Sequence, residues 1–238
     1  MSLPTPPPEP SAYPMAHHPL AQPALPLVQR QEALLSLMQT NEAVAYTPLV
    51  IAVATQPTEP LTLRCACIIS LGRVATPEAL ATLDSLRRHP DAPLRQYALE
   101  ALVATQQPEV LPWLIEALAD EDNAVFGAAA QGLGQFSTQA VPVLCELLSN
   151  PNAAPDARCV AAWQLGEVAG HEAVPVLVAQ LRAANPTDVL ALCLWALGEI
   201  GHHSPEVLAV LQWGKQQADP EIRLRAETAL KKVVRAFN

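Results

Sequence analysis

A leucine followed by glycine recurs along most of this chain at an almost constant interval. The pair occurs at Leu71-Gly72, Leu133-Gly134, Leu165-Gly166 and Leu197-Gly198, and Leu102 and Leu230 fill the same position without the glycine. Successive steps between these leucines measure 31, 31, 32, 32 and 33 residues. A period of this length is typical of a solenoid, in which each unit buries its apolar side only against its neighbours. The chain is therefore predicted to form a repeat array.

Within each period the apolar residues follow helical spacing. The first helix of successive repeats starts its register at Leu63, Leu94, Val125, Ala157, Val189 and Ile222; four residues later stands Ala or Cys, and eight residues later always Leu. Positions 0, 4 and 8 share one face of a helix, so they form the buried stripe. The sequence predicts an all-α, right-handed α-solenoid of stacked helical hairpins, with repeats starting at residues 63, 94, 125, 157 and 189 and a capping helix at 222–238.

The N-terminal part of the chain does not follow this pattern. Residues 1–26 contain nine prolines and lack the periodicity of a packed element, so they are predicted to form a disordered Pro-rich tail. Helical spacing begins near Leu27. Residues 27–62 are predicted to form an irregular first unit of a solenoid domain that covers residues 27–238.

The repeat resembles a known family. Two stretches carry the resemblance: Ala161-Ala162-Trp163-Gln164-Leu165-Gly166 followed by Ala173-Val174-Pro175, and Ala196-Leu197-Gly198-Glu199-Ile200-Gly201. Both are similar to the HEAT-like repeat of phycobilisome lyases. The resemblance covers residues 63 to 238. It implies a HEAT-like α-solenoid, and in that family an Asp–Arg ladder links neighbouring units. Arg64, Arg95, Arg158 and Arg223 would serve here, with Asp91, Asp156 and Asp219 as their partners.

Charge and hydropathy narrow the classes of function. The net charge of −9 repels a phosphate backbone, so nucleic-acid binding is not expected. The longest apolar run, residues 43–55, is too short to cross a bilayer. The N-terminus also lacks the basic start and apolar core of a signal peptide. The expected location is cytoplasmic, with no membrane insertion.

Aromatic residues on the first helices suggest a binding surface. Trp163 and Trp195 both lie six residues after their register starts, Glu167 and Glu199 follow one turn later, and Tyr97 with Glu100 lies on a similar face of an earlier repeat. Stacking would align these six residues into a partner-binding ridge, since exposed tryptophan is typical of interface hot spots. The alternative is that both tryptophans fill the groove between repeats.

Two further surfaces are candidates for binding. Trp113 and Trp213 belong to second helices, which usually line the concave side of such arrays. A basic cap collects five cations in the final 16 residues: Arg223, Arg225, Lys231, Lys232 and Arg235. These cations complement the negative end of a helix dipole, or else form a docking patch for an acidic partner.

Evidence for catalysis or metal binding is weak. His171 and His203 occupy equivalent places in successive repeats, which makes them candidates for a metal site, although no metal is expected. Among the five cysteines, Cys67 and Cys193 replace alanine in the buried stripe, whereas the exposure of Cys65 and Cys159 is left open. The sequence has no Ser/His/Asp order, P-loop or GxGxxG, and no catalytic residue is assigned.

These observations favour a non-catalytic HEAT-repeat scaffold or adaptor that binds a protein partner through its helical surface and needs no cofactor. The resemblance implies an alternative, a phycobilin lyase-like or chaperone-like subunit that handles a bilin during its attachment or in phycobilisome biogenesis. If the chain is an enzyme, it is of that lyase type. A smaller alternative is an iron–sulfur assembly-associated protein that uses its cysteines.

Overall fold

The computed structural model describes residues 15–40, 42–168 and 170–237, and in these ranges the regular elements are all helices. The α-helices are α1 Leu27–Met38, α2 Thr47–Thr55, α3 Leu61–Val74, α4 Pro77–Leu86, α5 Ala92–Ala104, α6 Leu111–Ala117, α7 Asn123–Gln135, α8 Val141–Ser149, α9 Pro155–Val168, α10 Val174–Arg182, α11 Thr187–Ile200, α12 Pro205–Lys215 and α13 Pro220–Phe237. The all-α hairpin fold is confirmed. None of the helices described is both long and apolar enough to cross a membrane.

The chain divides into two compact units between Gln107 and Pro108. In the first unit α3 packs against α5, and α2 and α4 cover them. In the second unit α7, α9, α11 and α13 pack side by side in one layer, while α6, α8, α10 and α12 form a second layer. We call the first set the outer-layer helices and the second set the inner-layer helices of the second unit. Each repeat contributes one helix to each layer, as the period predicts.

Proline and capping residues set where the helices begin. The repeat register starts two residues after the first residue of each outer-layer helix, because the turn before the apolar stripe is already helical. Asp219, Asp122 and Ser204 cap α13, α7 and α12 by accepting hydrogen bonds from backbone amides at 2.8–3.2 Å. Asp91, which directly precedes α5, makes no side-chain cap hydrogen bond.

Most inner-layer helices begin only after a short 3₁₀ turn. Three of them, α6, α8 and α10, follow 3₁₀ turns at Pro108–Val110, Ser137–Ala140 and His171–Ala173. Proline is the second residue of each of these helices and has no N–H to donate to the preceding turn. The α-helical ladder therefore begins only at the residue before the proline.

The buried stripe follows the predicted register. The residues at positions 0 and 4 are at most 5% exposed in all six first helices, and the leucines at position 8 are fully buried from Leu71 through Leu197. Leu230 is only half-buried, because no further repeat packs on α13 among the described residues.

Glycine after leucine allows the first helices of neighbouring repeats to approach closely. A Cβ on Gly72 would lie 2.4 Å from the carbonyl oxygen of Ala101 on α5, and one on Gly198 would lie 2.8 Å from the Cα of Ala229 on α13. Real Cβ atoms do not approach so closely, so the glycines are needed for this packing. Gly134 differs. A Cβ on this residue would lie 3.0 Å from the side-chain amide of Gln164, which occupies the space that alanine has in the other seams.

Three of the four repeated arginines bond to partners other than the expected aspartates. Arg64 Nε and Arg158 Nε each donate to a carbonyl ten residues earlier, of Ala54 at 3.0 Å and of Leu148 at 3.1 Å. Arg223 Nη1 donates to the carbonyls of Gln217 and Ala218 at 2.8 and 2.7 Å. The carbonyls bonded by Arg64 and Arg158 lie at the C-terminal ends of α2 and α8, where they have no partner within their own helix. Those bonded by Arg223 lie in the turn between α12 and α13. The structural role of these arginines stands, with different acceptors.

Part of the predicted tail is packed. Residues 1–14 lie outside the described part of the chain, but Met15–His17 and Pro19–Ala21 form 3₁₀ turns, and Leu20 is fully buried. Arg30 donates to the Leu20 carbonyl at 2.8 and 3.1 Å and forms a bidentate pair with Glu59 at 2.6 and 2.7 Å. A buried arginine on α1 therefore holds the turn at Leu20 in place.

Candidate functional site

The two tryptophans at equivalent register positions differ in exposure. Trp163 on α9 is 44% exposed, whereas Trp195 on α11 is half-buried. The cause lies in the helix that precedes each of them. The ring of Trp195 covers Gly166, where an added Cβ would lie 2.5 Å from ring atom Cζ3. At the equivalent Gly134, the space is filled by Gln164, which donates to the Ala130 carbonyl at 3.0 Å.

Trp195 thus fills the seam between two helices, as the alternative interpretation of the sequence proposed, while Trp163 remains a surface side chain. Thr228 holds the same register position on α13, and Leu224 precedes it by one turn and is 59% exposed. We call the surface of Trp163, Trp195, Leu224 and Thr228 the tryptophan face. It lies on three neighbouring outer-layer helices of the second unit.

A groove runs along α13 beside Trp195. Its volume is about 330 Å³, and it is lined by Trp195, Glu221, Leu224, Arg225, Thr228, Ala229 and Lys232. Its lining combines the apolar side chains of Trp195, Leu224 and Ala229 with charged residues, which form ion pairs. Arg225 Nε donates to Glu221 at 2.7 Å, and Lys232 pairs with Glu199 of α11. The groove therefore offers an apolar strip bordered by charges of both signs.

The six residues predicted as one ridge lie in two units. Tyr97 and Glu100 are on α5 of the first unit, where Glu100 accepts a hydrogen bond from Gln96 at 2.8 Å. The other four, Trp163, Glu167, Trp195 and Glu199, are on α9 and α11 of the second unit, and Glu167 is exposed. The site is accordingly built on the second unit.

The basic cap is only partly a free charge patch. Arg223 bonds backbone carbonyls, and Arg225 and Lys232 are paired with Glu221 and Glu199. Lys231 and Arg235 are exposed and form no ion pair within the described ranges. The exposed surface of α13 nevertheless carries an excess of positive charge on a chain whose net charge is −9.

The remaining two tryptophans lie on separate inner-layer helices. Trp113 on α6 is half-buried, and Trp213 on α12 is 37% exposed. Trp213 lines an open cavity of about 570 Å³ together with Ala183, Ala184, Ala209 and others. Arg182 and Glu206 form an exposed ion pair of 3.0 Å on the same layer. Trp113 does not line this cavity, so the two residues do not form one pocket there.

His171, one of the two candidate metal ligands, lies beside another histidine. Its ring contacts the ring of His202, with centroids 4.3 Å apart. Gly201, which ends α11 in a left-handed conformation, precedes His202 and His203. Within the described ranges, no cluster of three or more His, Cys, Asp or Glu side chains could hold a metal ion.

Burial governs the chemistry of the cysteines. Cys65, Cys67 and Cys193 are buried, and Cys145 and Cys159 are half-buried. Desolvation raises the pKa of Cys67 and of Cys193 to about 12. Desolvation, followed by the negative charges of Asp188 and Asp156, also raises the pKa of Cys159. These thiols stay protonated at neutral pH, which makes them weak nucleophiles and poor metal ligands.

We expect alkylation of the native protein by iodoacetamide at pH 8 to be confined to Cys145 and Cys159. Cys65, Cys67 and Cys193 should react only after unfolding, because burial denies access and keeps the thiol protonated. Peptide mass mapping with and without denaturant measures this directly. Rapid labelling of Cys193 in the native protein would contradict its place in the buried stripe.

The sequence is similar to that of known helical-repeat proteins. A family model described as HEAT repeats matches residues 81–155 and 141–231. The phycocyanobilin lyase subunit alpha of Synechococcus elongatus is 45% identical over 84 residues, which cover 32% of this chain and 31% of that protein. The match thus spans about a third of the curated relative's length.

Two solved structures are similar to this chain over most of its length. Human deoxyhypusine hydroxylase is 21% identical, with a TM-score of 0.44, and the match covers 93% of this chain and 95% of that chain. A chain of the complex of CpcE and CpcF of phycocyanin lyase from Nostoc sp. PCC7120 is 19% identical, with a TM-score of 0.43, and the match covers 90% and 93% of the two chains. The family model matches residues 81–231, which are more than half of this chain, and the chain therefore belongs to the HEAT-repeat family.

Proposed function

We propose that this HEAT-repeat protein is a non-catalytic adaptor that holds a protein partner against the tryptophan face of its second unit. The proposed activity is binding alone. It requires no cofactor, no nucleic acid and no membrane, and it is placed in the cytoplasm.

The observation that carries the proposal is the exposure of Trp163. An aromatic side chain of this size has about 250 Å² of surface, so 44% exposure leaves roughly 110 Å² in water. Covering that area would contribute about 2–3 kcal/mol to a complex. A helix packed in a repeat array presents the ring without much further loss of conformational freedom, which favours its use as an interface anchor.

The surroundings of Trp163 support the same role. Trp195 is fixed against Gly166 and extends the apolar surface towards α13, where Leu224 is exposed. Glu167 is exposed one turn from Trp163, and the Glu199–Lys232 pair stands one turn from Trp195. Apolar anchors with a charged surround are the usual arrangement of a protein–protein interface.

The test compares two tryptophans of similar exposure on different layers. The full chain, a Trp163→Ala variant and a Trp213→Ala control are used to capture partners from native extract, and the affinity of a purified partner is then measured for each. We expect Trp163→Ala to weaken binding by about 30-fold, as loss of roughly 2 kcal/mol implies, with an unchanged helical circular dichroism signal. Weakening by Trp213→Ala alone would place the interface on the inner-layer helices instead.

A second candidate function is that of a phycobilin lyase-like or chaperone-like subunit. It is supported by the 45% identity over 84 residues to a phycocyanobilin lyase subunit. If the chain handles a bilin, adding the free pigment should red-shift pigment absorption and quench the fluorescence of Trp163 or Trp195. If the spectrum is unchanged at saturating pigment while partner binding stays intact, only the adaptor function remains supported.

A further inference from the structure

The groove between α11 and α13 follows one side of α13 for several turns. Its lining runs along α13 from Glu221 to Lys232, which at the helical rise corresponds to about 16 Å, or three turns. The side chains of Leu224, Thr228 and Lys232 follow each other at intervals of four residues along one edge. Residues four apart on a helix form a ridge, and such ridges pack into the grooves of a second helix.

The chemistry of the lining favours a helix over an extended peptide. An extended peptide needs partners for its backbone N–H and C=O groups, usually amide side chains or a free sheet edge. The groove offers neither, because its lining consists of Trp195, Leu224, Thr228, Ala229 and the three charged residues Glu221, Arg225 and Lys232. The lining residues lie on α11 and α13, and the backbone groups of an α-helix are bonded within the helix. A helix satisfies its own backbone and requires only apolar and charged side-chain contacts.

The charge of α13 specifies the sign of the occupant. The helix carries Arg223, Arg225, Lys231, Lys232 and Arg235 against Glu221 and Glu227. Lys231 and Arg235 have no ion-pair partner in the described part of the chain, and the pairs made by Arg225 and Lys232 are exposed enough for an incoming carboxylate to compete for them. A basic rim on an otherwise acidic chain is complementary to an acidic partner.

We infer that the α11–α13 groove receives an acidic amphipathic helix of the partner protein. Apolar residues of that helix lie over Trp195, Leu224 and Ala229, and its carboxylates reach Arg225, Lys231 and Lys232. The inference rests on the proposed adaptor function and assigns the part of the tryptophan face that determines which partner is accepted.

The experiment places the photo-crosslinking amino acid p-benzoylphenylalanine at position 224 of the full chain, in complex with the partner captured by the unmodified protein. Leu224 is exposed, so the replacement is compatible with folding. We expect light to join position 224 to one partner segment that is helical, amphipathic and net negative. A crosslink to a basic or extended segment would overturn the inference.

A charge-reversal pair supplies the second readout. Arg225→Glu should weaken the complex about tenfold at 0.15 M salt, with a smaller effect at 1 M salt, because screening removes the charge term. Arg182→Glu is the matched control, since Arg182 is also in an exposed ion pair but lies on the inner layer. Equal effects of the two variants would overturn the inference.

The two proposals fail in different ways. Loss of binding in Trp163→Ala, with no crosslink at position 224 and no effect of Arg225→Glu, would overturn the groove inference and leave the adaptor function standing. Binding that survives Trp163→Ala unchanged and gives no crosslink at position 224 would overturn both.

Discussion

Replacing Arg158 by methionine is expected to lower the free energy of unfolding by about 3 kcal/mol. Arg158 is 5% exposed, and its guanidinium group joins three parts of the second unit. It donates to the carbonyl of Leu148 at the end of α8 at 3.1 Å, to Gln180 of α10 at 2.9 Å and to Asn185 before α11 at 2.5 Å. Methionine keeps most of the apolar stem but leaves these acceptors buried without their donor.

The measurement is denaturant unfolding of the full chain, together with amide hydrogen exchange of α8, α10 and α11. Arg182→Met is the control, because its ion pair with Glu206 is exposed and should be worth less than about 1 kcal/mol. A cost for Arg158→Met no larger than that of the control would contradict the structural role of this arginine.

Replacing Gly72 by alanine is expected to destabilise the first unit by about 2 kcal/mol, although alanine is the better helix former. The added Cβ would meet the backbone of Ala101 at 2.4–2.8 Å, and backbone atoms of a packed helix cannot move aside as a flexible side chain would. Helices α3 and α5 must separate, which opens the seam between them.

Gly127→Ala provides a control with the opposite sign. Nothing lies within 4 Å of the position that its Cβ would occupy, and the residue is in the exposed part of α7. This change should stabilise the protein by up to about 1 kcal/mol through helix propensity and reduced freedom of the unfolded chain. Thermal unfolding of the two variants distinguishes close packing from propensity; a gain in both would contradict the close approach at Gly72.

The repeat architecture could be predicted from the sequence because local patterning and global packing depend on the same residues. The stripe at positions 0, 4 and 8 and the turn residues specify both helix type and buried face, so starts such as Leu63 and Ile222 fall two residues inside the observed helices. The packed turn at Leu20 was not predictable in the same way. It depends on a hydrogen bond from Arg30, a contact between residues with no shared periodicity.

The candidate site could be predicted only in part, because exposure depends on the residue across a seam. Trp163 and Trp195 share a register position, yet only Trp195 finds open space over a glycine. The signal was present in Gln164, which stands where Ala101, Ala196 and Ala229 stand in other repeats and fills the space over Gly134. The residue before the leucine of the following repeat therefore distinguishes the two tryptophans: it is Gln164 opposite Gly134 and Ala196 opposite Gly166.

The central claim, that the tryptophan face binds the partner, is tested most directly by footprinting the complex. Hydroxyl radicals oxidise exposed tryptophan, and Trp163 and Trp213 are 44% and 37% exposed in the free chain, so each serves as an internal reference for the other. Mass spectrometry of the protein with and without its partner should show protection of Trp163 and Leu224 and unchanged oxidation of Trp213. Protection of Trp213 with Trp163 still oxidised would contradict the claim.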